Sequence, residues 1–112
     1  MKTLHHLFAS RNPPDAIICG NDITAISLLK SLAAMKVKVP RDCLVAGVDD
    51  VRLAVLSNPP LTTIRQPCHD IGRAAVLALL ERIRNPCLPQ RQILLDAPLV
   101  ARKSTIPPKR SK

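Results

Sequence analysis

The amino-acid sequence predicts an α/β fold built on a parallel sheet, and three features in succession predict it. Ala16-Ile17-Ile18-Cys19 is a short apolar run of strand length. The segment from Ile23 to Met35 repeats its apolar residues at helical spacing, and Cys43-Leu44-Val45-Ala46-Gly47-Val48 is a second apolar run. Strand, helix, strand at this spacing is a βαβ unit, whose right-handed crossover makes the strands parallel and buries them on both faces. At 112 residues and 46% apolar composition, the chain fits one small domain with a core of its own.

Taking the elements in order, Leu4, Leu7 and Phe8 stand at i, i+3 and i+4 and describe one face of an opening helix. The same opening segment is basic and free of acids, as a transit peptide would also be. Asn12-Pro13-Pro14 ends the helix, because proline lacks a donor and constrains the residue before it. Asn21 or Asp22 caps the second helix, where Ala25, Ile26, Leu29, Leu32 and Ala33 recur beside polar Thr24, Ser27, Lys30 and Ser31. Val39-Pro40-Arg41-Asp42 stops that pattern. After the second strand, Asp49 or Asp50 is placed to cap a short helix beginning near Val51. The βαβ unit sets Asn21-Asp22 and Asp49-Asp50 just beyond the carboxyl ends of two parallel strands, where open α/β sheets bind ligands.

Leu61-Thr62-Thr63-Ile64 is a β-branched strand candidate, and Pro67 suits the first turn of a helix running to about Arg84. In that helix Val76, Leu79, Leu80 and Ile83 share a face. Asp70, Arg73, Glu81 and Arg84 lie opposite, with Leu77 the one apolar exception. Asn85-Pro86 ends it, and Ile93-Leu94-Leu95 and Leu99-Val100-Ala101 are two further strand-like pieces.

The formal charge of +9 is concentrated at the end of the chain. Arg102, Lys103, Lys109, Arg110 and Lys112 fall in the last eleven residues with no acid among them, which describes a solvated basic tail. No Trp or Tyr and a single Phe leave almost nothing for stacking on bases or sugar rings. Cys19, Cys43, Cys68 and Cys87 show no C-x-x-C spacing, so they read as ordinary buried or half-buried thiols of a reduced, cytoplasmic protein. The longest apolar run, Ala74 to Leu80, is far short of the roughly 20 residues that span a bilayer. Enzymatic machinery is not apparent, since there is neither a Gly-rich phosphate loop nor an H-E-x-x-H motif. Cys68 and His69 are adjacent on a helix and point apart, while His5, His6 and His69 lack a third ligand at useful spacing. No cofactor or metal is expected.

Four motifs add a family resemblance. Pro14-Asp15-Ala16-Ile17-Ile18-Cys19-Gly20-Asn21-Asp22 is followed by Gly47-Val48-Asp49-Asp50, then by Pro59-Pro60-Leu61-Thr62-Thr63-Ile64-Arg65-Gln66-Pro67, and finally by Leu99-Val100-Ala101-Arg102-Lys103-Ser104-Thr105. In this order and spacing they resemble the C-terminal part of the Lac/Gal repressor family of bacterial transcriptional regulators, from about Leu4 to Pro108. The resemblance implies a periplasmic-binding-protein-like lobe, present in part. Residues 1–105 would be a partial effector-binding domain, with Thr62 to Gln66 crossing between lobes, residues 67–91 belonging to the other lobe, and 106–112 a basic tail. The family's helix-turn-helix, hinge and first lobe have no counterpart in these residues.

On the same resemblance, Asn21, Asp49 and Gln66 would contact a small effector, a sugar or purine, and Ile26, Leu53, Leu56 and Ser57 would form a homodimer interface. DNA would be reached only through the missing N-terminal part, and no membrane is implied. The chemistry suits the assignment, because a carboxylate accepting hydrogen bonds from sugar hydroxyls or a purine N–H contributes about 1.5 to 3 kcal/mol per bond. Val48 departs from the family, which usually carries an aromatic residue between the glycine and the aspartate. Two other readings stay open: a fragment of a periplasmic sugar-binding protein, and a basic-tailed module for nucleic-acid or protein interaction. The helix after Pro67 raises a further expectation. Its four aliphatic side chains represent roughly 6 to 12 kcal/mol of burial, so a chain that leaves them uncovered should repack, oligomerise or stay partly molten.

Overall fold

The computed structural model describes residues 2–106, so the basic tail beyond Ile106 lies outside the described residues. The elements follow in the order α1 (Lys2–Phe8), β1 (Ala16–Ile18), α2 (Asp22–Ala34), β2 (Leu44–Asp49), α3 (Arg52–Leu56), β3 (Thr62–Arg65), α4 (Cys68–Arg84) and β4 (Leu99–Val100). The strands form one sheet in the order β1-β2-β3-β4. β1, β2 and β3 are parallel, as the βαβ spacing requires, and β4 returns antiparallel to β3. The strand limits sit within a residue of the apolar runs, β2 and β3 each lying one position later than those runs suggest.

α2 supplies the cover for the sheet. Ala25, Leu29 and Leu32 are buried, and with Cys19, Val45, Ala54 and Leu61 they form the core. Leu4 and Phe8 of α1 pack against it from the side, an i, i+4 pair, while Leu7 turns to solvent. The far end of α2 closes with Lys36 at φ 62 and the bonds Lys36 N–H to Ala33 O and Val37 N–H to Leu32 O.

Two-sided burial of the strands, expected from the βαβ pattern, holds for one face only. Register puts Val45, Gly47 and Thr63 on the side of α2, where all are buried. Ile18, Ile64 and Leu99 point the other way, and Ile18 is 79% exposed. A single crossover helix covers a single face. On the open side only Thr62 is enclosed, by the segment that follows β4. There Ser104 is wedged between two strands: its Oγ accepts from Thr62 N–H at 2.7 Å and donates to Val45 O at 2.6 Å, and its carbonyl accepts from Val45 N–H at 3.1 Å.

α4 behaves differently from the rest. None of its 17 residues is buried. Val76, Leu79, Leu80 and Ile83 are 47 to 65% exposed, and Leu77 is equally open. Pro67 precedes the helix at its N-cap instead of entering the first turn. Ile93-Leu94-Leu95, expected as a strand, is irregular because it lies beside α4 and no ladder partner reaches it; Ile93 and Leu95 line a cavity of about 300 Å³ with Ile71, Ala74 and Ala75. Arg82 fastens this return segment by donating to Leu88 O and Pro89 O, and Glu81 pairs with Arg91. The outcome is a projecting arm. The Cα radius of gyration is 18.9 Å and the longest extent 61 Å, where a compact chain of this length would have a radius near 13 Å. The cysteines divide accordingly: Cys19 and Cys43 are buried, whereas Cys68 and Cys87, expected to be at least half-buried, are exposed on α4 and its return.

Candidate functional site

The polar residues gather where β2 ends. Asp49 has φ 119 and Asp50 φ 58, both in the left-handed range, which costs an L-residue roughly 1 to 3 kcal/mol and is tolerated best by short polar side chains such as Asp. Such a conformation persists when its surroundings over-determine it, and here two side chains, those of Thr63 and Asp22, do so. Thr63 Oγ1 accepts from Asp50 N–H at 3.3 Å and donates to Asp22 Oδ1 at 2.6 Å. The second oxygen of Asp22 accepts from Val51 N–H at 2.9 Å.

Asp22 is therefore more than the first residue of a helix. It is fully buried, and its carboxylate joins the start of α2 to the turn after β2 and to Thr63 within β3. Gly47 makes room for it, since a Cβ built there would sit 2.3 Å from Asp22 Oδ1. The sequence reading missed this node. The available signal was a glycine inside a strand, which marks close approach of another group. The expectation that Asp49 or Asp50 caps the short helix is also corrected: Val51 is the N-cap of α3 and makes no side-chain cap bond, and Asp22 takes its N–H instead.

Asp50 is occupied elsewhere. One carboxylate oxygen accepts from Arg65 Nε at 2.7 Å and the other from Arg102 Nη2. The Asp50 side chain is 9% exposed and that of Arg102 14%. The Arg102 bond, then the Arg65 bond and both positive charges, hold the Asp50 carboxyl below the usual carboxylate range against the opposing effect of burial. Arg102 also donates to Leu61 O at 2.8 Å. It is thus a structural ion-pair partner, and not part of the solvated basic tail in which the charge run placed it.

The residues expected to contact an effector are Asn21, Asp49 and Gln66. Asp49 and Gln66 are brought together: Gln66 Nε2 donates to Asp49 Oδ1 at 3.2 Å, and Gln66 N–H to Asp49 O at 3.4 Å. Asn21 stands at the end of the neighbouring strand β1, exposed, with Oδ1 accepting from Thr24 N–H at 2.8 Å as the N-cap of α2. Adjacent strands run about 4.8 Å apart, so the ends of β1, β2 and β3 present Asn21, Asp49 and Gln66 along one edge. A carboxylate flanked by two carboxamides can accept from hydroxyls or N–H groups and donate in return.

Ile26, Leu53, Leu56 and Ser57 also converge. With Leu29, Lys30 and Asn58 they line one groove of about 320 Å³ between α2 and the α3 region. Leu53 and Leu56 are exposed, and Ser57 is held in place by donating to Ala54 O and Pro59 O, both at 2.9 Å. Cys68 and His69 do not face each other, the thiol lying 3.7 Å from Gln66 Oε1 and the imidazole beside Asp70. Among the described residues no group of three or more His, Cys, Asp or Glu could hold a metal ion, and no described helix is long and apolar enough to cross a membrane.

Comparison with known proteins agrees with the α/β fold. Residues 1–105 match the family described as periplasmic binding protein-like domain. The chain is 36% identical over 104 residues to the HTH-type transcriptional repressor CytR of Escherichia coli K12, covering 93% of this chain and 30% of that protein. It is 40% identical over 91 residues to the ribose operon repressor of the same organism, covering 81% of this chain and 28% of the repressor. Among solved structures, a LacI family transcriptional regulator from Enterococcus faecalis V583 with bound ribose superposes with a TM-score of 0.78 at 32% identity, over 96% of this chain and 40% of that one. A complex of the regulator CelR with cellobiose gives 0.73 at 31% identity, over 80% and 28%. The chain spans about 30% of the curated relatives it matches. With the fold and these likenesses in agreement, the chain belongs to the periplasmic binding protein-like domain family, in the form found in LacI-type regulators, and holds part of such a domain.

Proposed function

We propose that the chain supplies part of the effector-sensing domain of a LacI-type transcriptional repressor, in which Asn21, Asp49 and Gln66 contact a sugar or purine. The observation that carries this reading is the Asp49–Gln66 pair at the carboxyl edge of the sheet, one strand from Asn21. The ligands named for related structures, ribose and cellobiose, are polyols of the kind a carboxylate between carboxamides would hold. The protein acts as a cytoplasmic sensor and not as an enzyme. Residues 67–91 pack on the other lobe, which accounts for the bare face of α4, and two copies pair through the groove at Ile26, Leu53, Leu56 and Ser57. Effector held between the lobes biases their orientation, and the dimer passes that bias to DNA-binding parts outside this chain.

The test is the ribose operon repressor with its matched segment replaced by this chain, titrated calorimetrically with ribose, cellobiose and purine nucleosides. Saturable binding is expected, weakened roughly tenfold to a hundredfold by Asp49→Ala, the loss of one charged hydrogen bond. Affinity unaffected by Asp49→Ala overturns the assignment. The chain alone, with one wall of the cleft, binds none of these at micromolar concentration; a micromolar titration would require a different site.

A further inference from the structure

We infer that Asp50 is the positioning residue of the effector edge, its carboxylate fixing Asp49 and Gln66 by tying together β2, β3 and the segment after β4. The inference rests on the proposed sensing role for its meaning, and on geometry of its own. Asp50 receives Arg65, the last residue of β3, and Arg102, two residues beyond β4. Arg102 in turn donates to Leu61 O and exchanges bonds with Thr62, N–H to Oγ1 at 2.7 Å and Oγ1 to O at 3.0 Å. Three chain segments thus meet on one carboxylate. Gln66 follows Arg65 directly and Asp49 precedes Asp50, so the two groups that pair at the edge are the immediate neighbours of the two that pair beneath it. Asp49 and Arg65 are register partners across β2 and β3, which leaves the Gln66 side chain little choice but to follow where Arg65 is anchored.

The left-handed backbone at Asp49 and Asp50 gives this anchoring its function. The bonds to Thr63 and Asp22 hold the backbone N–H groups of Asp50 and Val51, and a second fixed point, at the Asp50 side chain, keeps the Asp49 carboxylate turned toward Gln66. Asp50 supplies that point through two charge-assisted bonds, while its own N–H is held by Thr63. Its part is to aim Asp49, not to touch the effector.

The test is by nuclear magnetic resonance on the 112-residue chain, comparing Asp50→Asn with the unsubstituted protein. The expected result is loss of the Overhauser contact between the Gln66 side-chain amide and Asp49, with shifts of the Asp49 and Gln66 amides. The amides of Leu29 and Val45, which report the core, stay in place. Unmoved Asp49 and Gln66 signals in a folded Asp50→Asn protein would overturn the inference. Where Asp50→Asn fails to fold, Arg65→Gln serves, since the Arg65 side chain is 58% exposed and the loss of its guanidinium spares the Arg102 bond. It should weaken the same contact, and an unchanged contact again refutes the inference. Addition of ribose, cellobiose or adenosine to the chimeric repressor separates the two readings. Coupling of Asp50 to Asp49 and Gln66 with no ligand response would leave the positioning role standing and remove the sensing role.

Discussion

The sheet half of the molecule and the α4 arm are built from equally apolar sequence, yet one has a core and the other does not. In the sheet half, Leu32, Val45 and Leu61 are fully buried; on α4, Val76, Leu79, Leu80 and Ile83 point into solvent. Helical periodicity is as good in α4 as in α2. What differs is the presence of a second surface, because an amphipathic face gains its stability from what it is pressed against and little from the helix itself. The arm lacks that second surface among the described residues, and its aliphatic face stays open.

Thiol chemistry gives the widest separation between the halves. Cys68 and Cys87 should react with a disulfide reagent at once, whereas Cys19 and Cys43 wait for the core to open; burial raises both of their pKa values, which lowers the thiolate fraction as well. If opening costs about 5 kcal/mol, the core thiols should be slower by roughly a thousandfold or more. Four thiols reacting at one rate would mean that the sheet half has no stable core.

Core truncation comes next. Leu61→Ala should cost about 2 to 5 kcal/mol in urea unfolding, the range for fully buried leucines. Gly47→Ala should cost roughly 1 to 3 kcal/mol, because the new methyl group meets the Asp22 carboxylate and neither that carboxylate nor the strand can easily yield. A neutral Gly47→Ala would show that Asp22 is free to move and would weaken its place as the central polar node.

The acid limb of stability should report Asp50. Its folded pKa is depressed by Arg102 and Arg65, so its contribution is present above the unfolded carboxylate pKa of about 3.9 and is lost as pH falls through the lower folded value. Unfolding midpoints measured across this acid range should therefore decline for the unsubstituted chain and decline less for Asp50→Asn. Parallel declines would mean that the two arginines do not favour the charged form.

The smallest effect belongs to the arm. Leu79→Ala should change stability by less than about 0.5 kcal/mol, as for an exposed position. A loss comparable to that of Leu61→Ala would show the arm covered in solution, by a second copy or by collapse onto the sheet, and a dependence on protein concentration would identify the first.

Local elements were readable from local pattern. The strand runs, the prolines that stop helices and the Asn21 cap all act within a few residues, and the structure follows them closely. The polar framework of the site was not readable in the same way. Asp22 reaches Thr63 across 41 positions and Asp50 reaches Arg102 across 52, and nothing in the spacing of such pairs distinguishes them from surface charges. From the sequence, Arg102 therefore reads as one more member of a charge run. Ile93-Leu94-Leu95 has the composition of a strand, but a strand also needs a free edge beside it, which composition does not express. The family resemblance named residues that composition does not group, and of these Asp49 and Gln66 share a hydrogen bond while Ile26, Leu53, Leu56 and Ser57 line one groove.

Ser104 sets an order on how the molecule can be made. It bridges Val45 and Thr62 from a position 59 and 42 residues later in the chain, and closes the gap between β2 and β3 where the ladder of those strands has not yet begun. During synthesis the βαβ unit can form early, but the sheet is bolted only when the last strand and the residues after it have left the ribosome. Contacts so distant in sequence form slowly. A nascent chain stopped at Ala101 would carry every described helix and strand, with the β2–β3 ladder, and still lack the bridge that closes the leading end of that ladder.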